Sequence, residues 1–193
     1  MFKMCTTIVR QYVDLIKTAL LQVEPVYFKL ITNYKPSGIV RERVFCYELY
    51  HQIRKRMTEP DLTINGEIDK RGHIDFAPED QKNPDFVFHI PGTHEGNTLV
   101  IEVKGKLEPD DIEKDFNTIT TFIEEYEYTA GVFVLYNHSL ERLKRSAGQV
   151  LRKYNSRPSA NSVHILAIER PGMNCEELLL SESNQQRTSL FEY

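Results

Sequence analysis

The chain has 193 residues and a formal net charge of −4, and 40% of its residues are hydrophobic against 27% that are charged. This balance fits one globular domain, and it excludes nucleic-acid binding through an overall positive charge, so such a partner would need a local basic patch. Three scattered cysteines, no apolar run of membrane length and no secretory signal pattern predict a soluble, cytoplasmic protein.

The chain begins with two predicted helices. Apolar residues recur at helical intervals over residues 6–22, and they do so again over residues 41–57, where Phe45 and Ile53 lie on one stripe. The first helix and the proline-containing loop after it form a predicted N-terminal helical arm, residues 1–40. The second helix opens the main predicted domain.

Three short strands are expected next, at residues 62–68, 85–90 and 98–104. The third reads TLVIEVK. Because side chains in a strand alternate between faces, Glu102 and Lys104 share one face, while their apolar neighbours point the other way. A carboxylate and an ammonium group side by side in an apolar strand indicate a functional site.

The second half of the chain alternates helices and strands. Pro109 is suited to the first turn of a helix, a continuous apolar strand follows at 130–136, Ser139 can cap a further helix, and a last strand is predicted at 163–169. The order α, α, β, β, β, α, β, α, β predicts an α/β fold with a mixed sheet and helices on both faces. The main domain is expected to span residues 41–180, followed by a flexible tail at 181–193.

A second carboxylate is expected close to Glu102. Asp85 opens the strand before it, directly after Pro84, and pairing of the two strands around the loop 91–97 would bring Asp85, Glu102 and Lys104 to one end of a hairpin. Two adjacent carboxylates raise each other's pKa unless a cation lies between them. Oxygen ligands suit Mg²⁺ or Mn²⁺, and a metal beside a lysine is suited to attack on a phosphodiester.

Pro84-Asp85 on one strand and Glu102-Val103-Lys104 on the next resemble the motif of the PD-(D/E)XK nuclease superfamily. The resemblance extends over residues 41–136, where the order helix, three strands, helix, strand is also that of the family. It implies a restriction-endonuclease-like αβββαβ core, to which this chain adds an N-terminal helix and a C-terminal helix and strand. It also implies Mg²⁺- or Mn²⁺-dependent hydrolysis of nucleic acid.

The resemblance also implies residue roles. Asp85, Glu102 and the carbonyl of Val103 would bind the metal, and Lys104 would position the attacking water, so that Asp85, Glu102 and Lys104 are the expected catalytic residues. Members of the family often add an acid from the helix before the sheet, and Glu48 is the candidate for this further metal ligand.

Both the supporting acid and the partners leave alternatives open. The alternative for Glu48 is a solvated glutamate paired with Gln52 or Arg41, and Glu67, in a polar segment with Asp69, His73 and Asp75, is its rival as the supporting acid. His89 shares a strand face with Asp85 and either lines the cleft or is hydrogen-bonded within the fold. The expected partner is nucleic acid, DNA in preference to RNA. A protein that supplies sequence specificity and a second copy of the chain in a homodimer are further possible partners.

A basic stretch follows the fourth predicted strand. The helix in this stretch is expected to contact nucleic acid through Arg142, Arg145, Arg152 and Lys153. The alternative is that these residues form a solvated helix face. The function predicted from the sequence is a metal-dependent nuclease of a defence, restriction or repair system. The competing hypothesis is a catalytically silent nucleic-acid-binding or scaffold module of the same fold. For the motif residues themselves, the alternative interpretation is that Glu102 and Lys104 form a surface ion pair and that Asp85 is a turn residue.

Overall fold

The computed structural model describes residues 2–58, 62–66, 83–91 and 96–184. In these ranges the helices are α1 (Phe2–Leu20), α2 (Pro25–Phe28), α3 (Glu42–Arg54), α4 (Pro109–Glu125) and α5 (Leu140–Asn155). The strands are β1 (Leu30–Thr32), β2 (Lys35–Ile39), β3 (Thr63–Gly66), β4 (Phe86–His89), β5 (Leu99–Lys104), β6 (Ala130–Tyr136), β7 (Val163–Ile168) and β8 (Glu176–Leu179). No helix within the described residues combines the length and the apolar character needed to span a membrane.

Strands β3 to β8 form one mixed sheet in which their spatial order is their order in the chain. Antiparallel pairing joins β3, β4 and β5, parallel pairing joins β5, β6 and β7, and β8 closes the edge antiparallel to β7. Strands β1 and β2 form a separate two-stranded hairpin. The predicted mixed α/β class is confirmed.

Two apolar cores cover the two faces of the sheet, which confirms the prediction of helices on both faces. Helices α1 and α3 pack on one face, together with Leu99, Ile101 and Val103 of β5. Helices α4 and α5 pack on the other face, where β5 contributes Val100. The alternation along β5 therefore directs Glu102 and Lys104 towards the α4 side of the sheet.

Local sequence signals place several elements as predicted. Helix α4 begins at Pro109, the hydroxyl of Ser139 accepts a hydrogen bond from the Arg142 backbone N–H at the start of α5, and all seven residues of β6 are buried. A strand flanked by parallel neighbours and covered on both faces has no solvated side, which explains its unbroken apolar run.

The structure contains elements that the sequence patterns did not predict, namely α2, the β1–β2 hairpin and the edge strand β8. Strand β8 reads EELL, which lacks the alternation of a half-buried strand. Its Glu177 turns towards α1, and the carboxylate of its Glu176 accepts a hydrogen bond from the Leu140 N–H. After β8, residues 181–184 are described, and the side chain of Asn155 donates hydrogen bonds to the carbonyls of Leu180 and Ser181. The rest of the predicted tail, and residues 67–82, lie outside the described residues.

Helix α1 is attached to the sheet by both apolar and ionic contacts. Its residues Val13, Ile16 and Leu20 are fully buried in the core that α3 and the sheet share. The carboxylate of Glu177 lies 2.7 Å from both Arg10 Nη1 and Lys17 Nζ. Residues of the predicted N-terminal arm therefore contribute to the same core as the rest of the described chain.

This ionic attachment yields a prediction for stability. Burial raises the pKa of Glu177, but hydrogen bonds from Lys17, Arg10 and His164 outweigh burial and lower it to about 2. A carboxyl whose pKa is lower in the folded state stabilises the fold above about pH 4, the pKa of an unfolded glutamate, and loses this contribution as the pH falls towards 2. Glu177→Gln should reduce the free energy of unfolding by about 1 kcal/mol at pH 7, and by less as the solution is acidified.

Urea unfolding of wild type and Glu177→Gln at several pH values measures this difference. Glu182→Gln, which neutralises an exposed carboxylate, is the matched control. Equal urea midpoints for wild type and Glu177→Gln at pH 7 would mean that α1 is held by its apolar face alone.

Candidate active site

The predicted motif residues meet at the carboxyl end of β5. The register of β4 with β5 pairs Phe86 with Ile101, so Asp85, one residue earlier, lies opposite Glu102. The Oδ2 atom of Asp85 accepts a hydrogen bond from the backbone N–H of Val103 at 2.7 Å. The expected antiparallel pairing therefore brings Asp85 beside the Glu102-Val103-Lys104 segment.

Two further acids, which the sequence patterns did not single out, surround Lys104. Its Nζ lies 3.1 Å from Oδ2 of Asp115 in α4 and 3.3 Å from Oε2 of Glu42 at the start of α3. The Lys104 side chain is only 13% exposed. We refer to Asp85, Glu102, Asp115, Glu42 and Lys104 as the acidic cluster.

Each member of the cluster is placed by the packing of its own element. Asp115 lies on the buried side of α4, between Ile112 and Phe116. Helix α3 is anchored at the same end of the sheet because the ring of Phe45 stacks on that of Tyr136, with centroids 3.8 Å apart. Glu42, one turn before Phe45, is thereby held over the end of β5.

Gly105, directly after Lys104, allows the side chains of Tyr136 and Val40 to pack closely against the backbone at the end of β5. A β-carbon at this position would overlap the ring of Tyr136 and the side chain of Val40. The residue after the catalytic lysine candidate therefore has to be small, because the side chains of Tyr136 in β6 and of Val40, before α3, pack against its backbone.

Burial and mutual repulsion dominate the electrostatics of the cluster. Burial raises the pKa of Asp85 to about 6, although the Val103 N–H and Lys104 lower it. Burial, Asp85 and Asp115 raise the pKa of Glu102 well above its usual value. Burial also raises the pKa of Asp115 to about 7 against the attraction of Lys104. One lysine does not compensate four acids, so the cluster favours the gain of a proton or of a cation.

The donor atoms that face each other are those expected for a hard divalent cation. In the described part of the chain, no group of three or more His, Cys, Asp or Glu side chains is arranged to hold a metal ion. Asp85, directly before β4, and Glu102 in β5 provide two carboxylates at neighbouring positions of the sheet, and the Val103 carbonyl directly follows Glu102 in the sequence. Because Mg²⁺ keeps several of its waters and commonly binds through one or two carboxylates, this set fits such an ion.

Glu48, the predicted supporting acid, lies elsewhere. Its carboxylate accepts a hydrogen bond of 2.6 Å from the Gln52 side chain, and Gln52 in turn accepts one from Arg56. Among the described residues no hydrogen bond or ion pair links Glu48 to the acidic cluster. The acid that α3 does bring to Lys104 is Glu42. Glu67, the predicted rival of Glu48, lies outside the described residues together with Asp69, His73 and Asp75.

His89, expected either to line the cleft or to be hydrogen-bonded within the fold, forms a hydrogen bond within the sheet. Its Nε2 lies 2.9 Å from Oδ1 of Asn65 on the neighbouring strand β3. This contact holds the imidazole within the sheet by a hydrogen bond to a side chain of the adjacent strand.

Two basic residues of α5, and Arg157 just after it, are neutralised by acids. Arg145 pairs with Glu141, Lys153 pairs with Glu113 of α4, and Arg157 lies 2.8 Å from Glu124 of α4. The sequence of α5 alone could not reveal the two partners from α4. Of the four predicted nucleic-acid contacts, Arg145 and Lys153 are thus paired, Arg152 is exposed, and Arg142 lines a cavity described below.

Asp115 had a signal in the sequence and Glu42 did not. Asp115 falls on the apolar stripe of α4, where a charged residue is unusual unless it is paired. Glu42 is an acid in the first turn of a helix, a position where acids are common because they complement the helix dipole. Its contact with Lys104 depends on the packing of α3 against the sheet.

Scans of the chain against protein-family models, curated proteins and solved structures find no match. The geometry and the chemistry of the acidic cluster itself therefore indicate the function.

The raised pKa values predict how stability responds to pH. Between about pH 4, the pKa of unfolded carboxyls, and the folded values of about 6 for Asp85 and about 7 for Asp115, the folded chain binds more protons than the unfolded chain. The contribution of the cluster to stability therefore falls as the pH rises through this range. Glu102→Gln removes one of the repelling charges, so without metal the variant should be at least as stable as wild type, with a larger advantage at pH 8 than at pH 5.

Thermal unfolding in EDTA at pH 5 and pH 8 tests this, because each kcal/mol relieved corresponds to about 2–4 °C in a chain of this size. Glu125→Gln, at the exposed end of α4, is the control for a simple change of net charge. A Glu102→Gln variant that is less stable than wild type at pH 8 would contradict the repulsive arrangement.

Proposed function

We propose that the protein is a Mg²⁺- or Mn²⁺-dependent nuclease with a restriction-endonuclease-like core. The observation that carries the proposal is the placement of the half-buried Asp85 opposite the buried Glu102, with Lys104 directly beyond them at the end of β5. The order α3, β3, β4, β5, α4, β6 supports it, because it is the helix, three-strand, helix, strand order of that core.

The chemistry proposed for each residue follows from its position. Asp85 and Glu102, with the Val103 carbonyl, would hold the divalent ion, which supplies Lewis-acid activation of a phosphodiester and of a water. Lys104 would hold a phosphate oxygen or the attacking water with its ammonium group. Asp115 and Glu42 act as positioning residues, because their carboxylates at 3.1 and 3.3 Å direct Lys104 Nζ.

A second candidate function is a catalytically silent nucleic-acid-binding or scaffold module of the same fold. The observation in its favour is that Lys104 already has two carboxylate partners. The two candidates differ in whether the cluster supports turnover, and a cleavage assay separates them.

The first prediction for activity concerns the motif itself. Asp85→Asn and Lys104→Ala should each reduce cleavage of labelled DNA or RNA by ~10²-fold or more, because each removes a positioned charge from the reacting centre. Wild-type cleavage should require Mg²⁺ or Mn²⁺ and should stop in EDTA. Single- and double-stranded substrates of both nucleic acids, incubated with each metal, identify the substrate class.

Binding of the same oligonucleotides without cleavage, by wild type under every metal condition, would favour the silent module. Full cleavage by purified Asp85→Asn or Lys104→Ala would remove that residue from the reaction.

The second prediction compares the two acids of α3. Glu42 repels Asp85 and Asp115 and raises the pKa of both. Glu42→Gln should therefore move the acid limb of the pH–rate profile to lower pH, and it should reduce kcat roughly tenfold because Lys104 loses one of two orienting partners. Glu48→Gln, a matched change 1.7 turns further along the helix, should affect kcat less and should leave the acid limb in place. The reverse ranking would restore Glu48 as the supporting acid.

A further inference from the structure

A cavity of about 400 Å³ lies beside the acidic cluster, at the same end of the sheet. Its walls include three cationic side chains, Lys29, Arg142 and Arg170, and one acid, Glu169. Asn137 lies just after β6 and Glu169 just after β7, so the cavity is at the carboxyl ends of these two parallel strands.

The three cations of this cavity have no acidic partner among the described residues. Within the described part of the chain, the side chains of Lys29, Arg142 and Arg170 form no ion pair, whereas Arg145 and Lys153 each do. An anion that enters the cavity does not have to displace a carboxylate from these three groups. Three positive charges against one negative charge leave a net attraction for a phosphate.

The cavity is adjacent to Lys104 through the ends of the parallel strands. Lys104 is paired in register with Leu135 of β6, and Leu135 with Ala167 of β7. Neighbouring strands lie about 4.8 Å apart, so the ends of β6 and β7 are roughly 5 to 10 Å from the end of β5.

His138 interacts with residues at the end of β5 and with residues of the cavity. Burial and the charges of Arg142 and Lys29 hold the pKa of its imidazole below the usual value, although the Gly105 backbone and Glu169 raise it. His138 thus interacts both with the residue that follows Lys104 and with the cations of the cavity.

We infer that the cavity lined by Lys29, Arg142 and Arg170 is a phosphate subsite that holds the nucleic-acid strand next to the bond at the acidic cluster. This inference rests on the proposed nuclease function for the identity of the strand. It moves the main phosphate contact from the exposed face of α5 to the end of the sheet. Of the residues predicted from sequence, it retains Arg142 and adds Lys29 and Arg170.

The test measures binding separately from cleavage. Fluorescence anisotropy with a labelled oligonucleotide in EDTA, in an Asp85→Asn background, gives Kd across a salt series. The double variant Arg142→Gln with Arg170→Gln should weaken binding about tenfold or more at low salt. It should also flatten the slope of log Kd against log salt by one to two units, because about one unit is lost for each phosphate contact.

Two matched double variants remove the same amount of charge elsewhere. Arg54→Gln with Lys55→Gln, at the end of α3, is the control for net charge, and Arg145→Gln with Lys153→Gln tests the exposed face of α5. Both should change Kd less than the cavity variant does. Circular dichroism and thermal midpoints establish that all three variants are folded.

The nature of the phosphate is decided by oligonucleotides of one sequence with a 5′-phosphate, a 3′-phosphate or neither. A loss in the cavity variant that is confined to one end-phosphorylated strand assigns the cavity to a terminal phosphate, and an equal loss for all three assigns it to an internal phosphodiester. Inorganic phosphate should compete with the strand in the parent protein more strongly than in the cavity variant.

The outcomes separate this inference from the proposed function. If wild type cleaves nucleic acid and the cavity variant keeps the Kd and salt slope of the α3 control, the phosphate subsite is overturned while the nuclease stands. If no metal supports cleavage but the cavity variant alone loses binding, the subsite stands and the nuclease is overturned. If the α5 variant loses most of the binding instead, the strand lies on the exposed helix face and the subsite is overturned.

Discussion

The burial of carboxylates around Lys104 is the constraint on which this end of the molecule depends. Asp85 and Glu102 face each other from adjacent strands, while Asp115 and Glu42 approach the lysine from helices on opposite sides of the sheet. Two buried acids, Glu102 and Asp115, beside two half-buried ones are unfavourable unless a lysine, hydrogen bonds, protons or a metal ion compensates them. A stable fold that retains this arrangement concentrates its unfavourable electrostatics at one site, and perturbed pKa values of this kind often cluster at functional sites.

The sheet topology explains why the site forms at this position. Strand β5 is the point where antiparallel pairing with β4 changes to parallel pairing with β6. The antiparallel side delivers Asp85 at the start of its strand, and the parallel side aligns the carboxyl ends of β5, β6 and β7 along one edge. The acidic cluster and the cationic cavity both lie along that edge, where ligands of parallel sheets usually bind.

The cavity beside the acidic cluster holds a local excess of cations that are not paired with acids among the described residues. The lysine of the cluster, Arg145 and Lys153 of α5, and Arg157 just after α5 have acidic partners, among them Glu113 and Glu124 of α4. The cations around the cavity have none within the described residues. In a chain with a net charge of −4, attraction for an anionic strand has to come from such a local excess of positive charge.

The amino-acid sequence by itself determined the class of the fold and the motif of the site. Period-two and helical patterns are set by local geometry, so α4, β6 and α5 were predicted at their observed starts, and Asp85 and Glu102 were expected to meet because a hairpin pairs strands that are close in sequence. Only the tertiary structure decided the rest. Glu42, not Glu48, approaches Lys104 because α3 docks through Phe45 on Tyr136. Contacts between residues distant in the chain depend on how faces pack, which local periodicity does not encode.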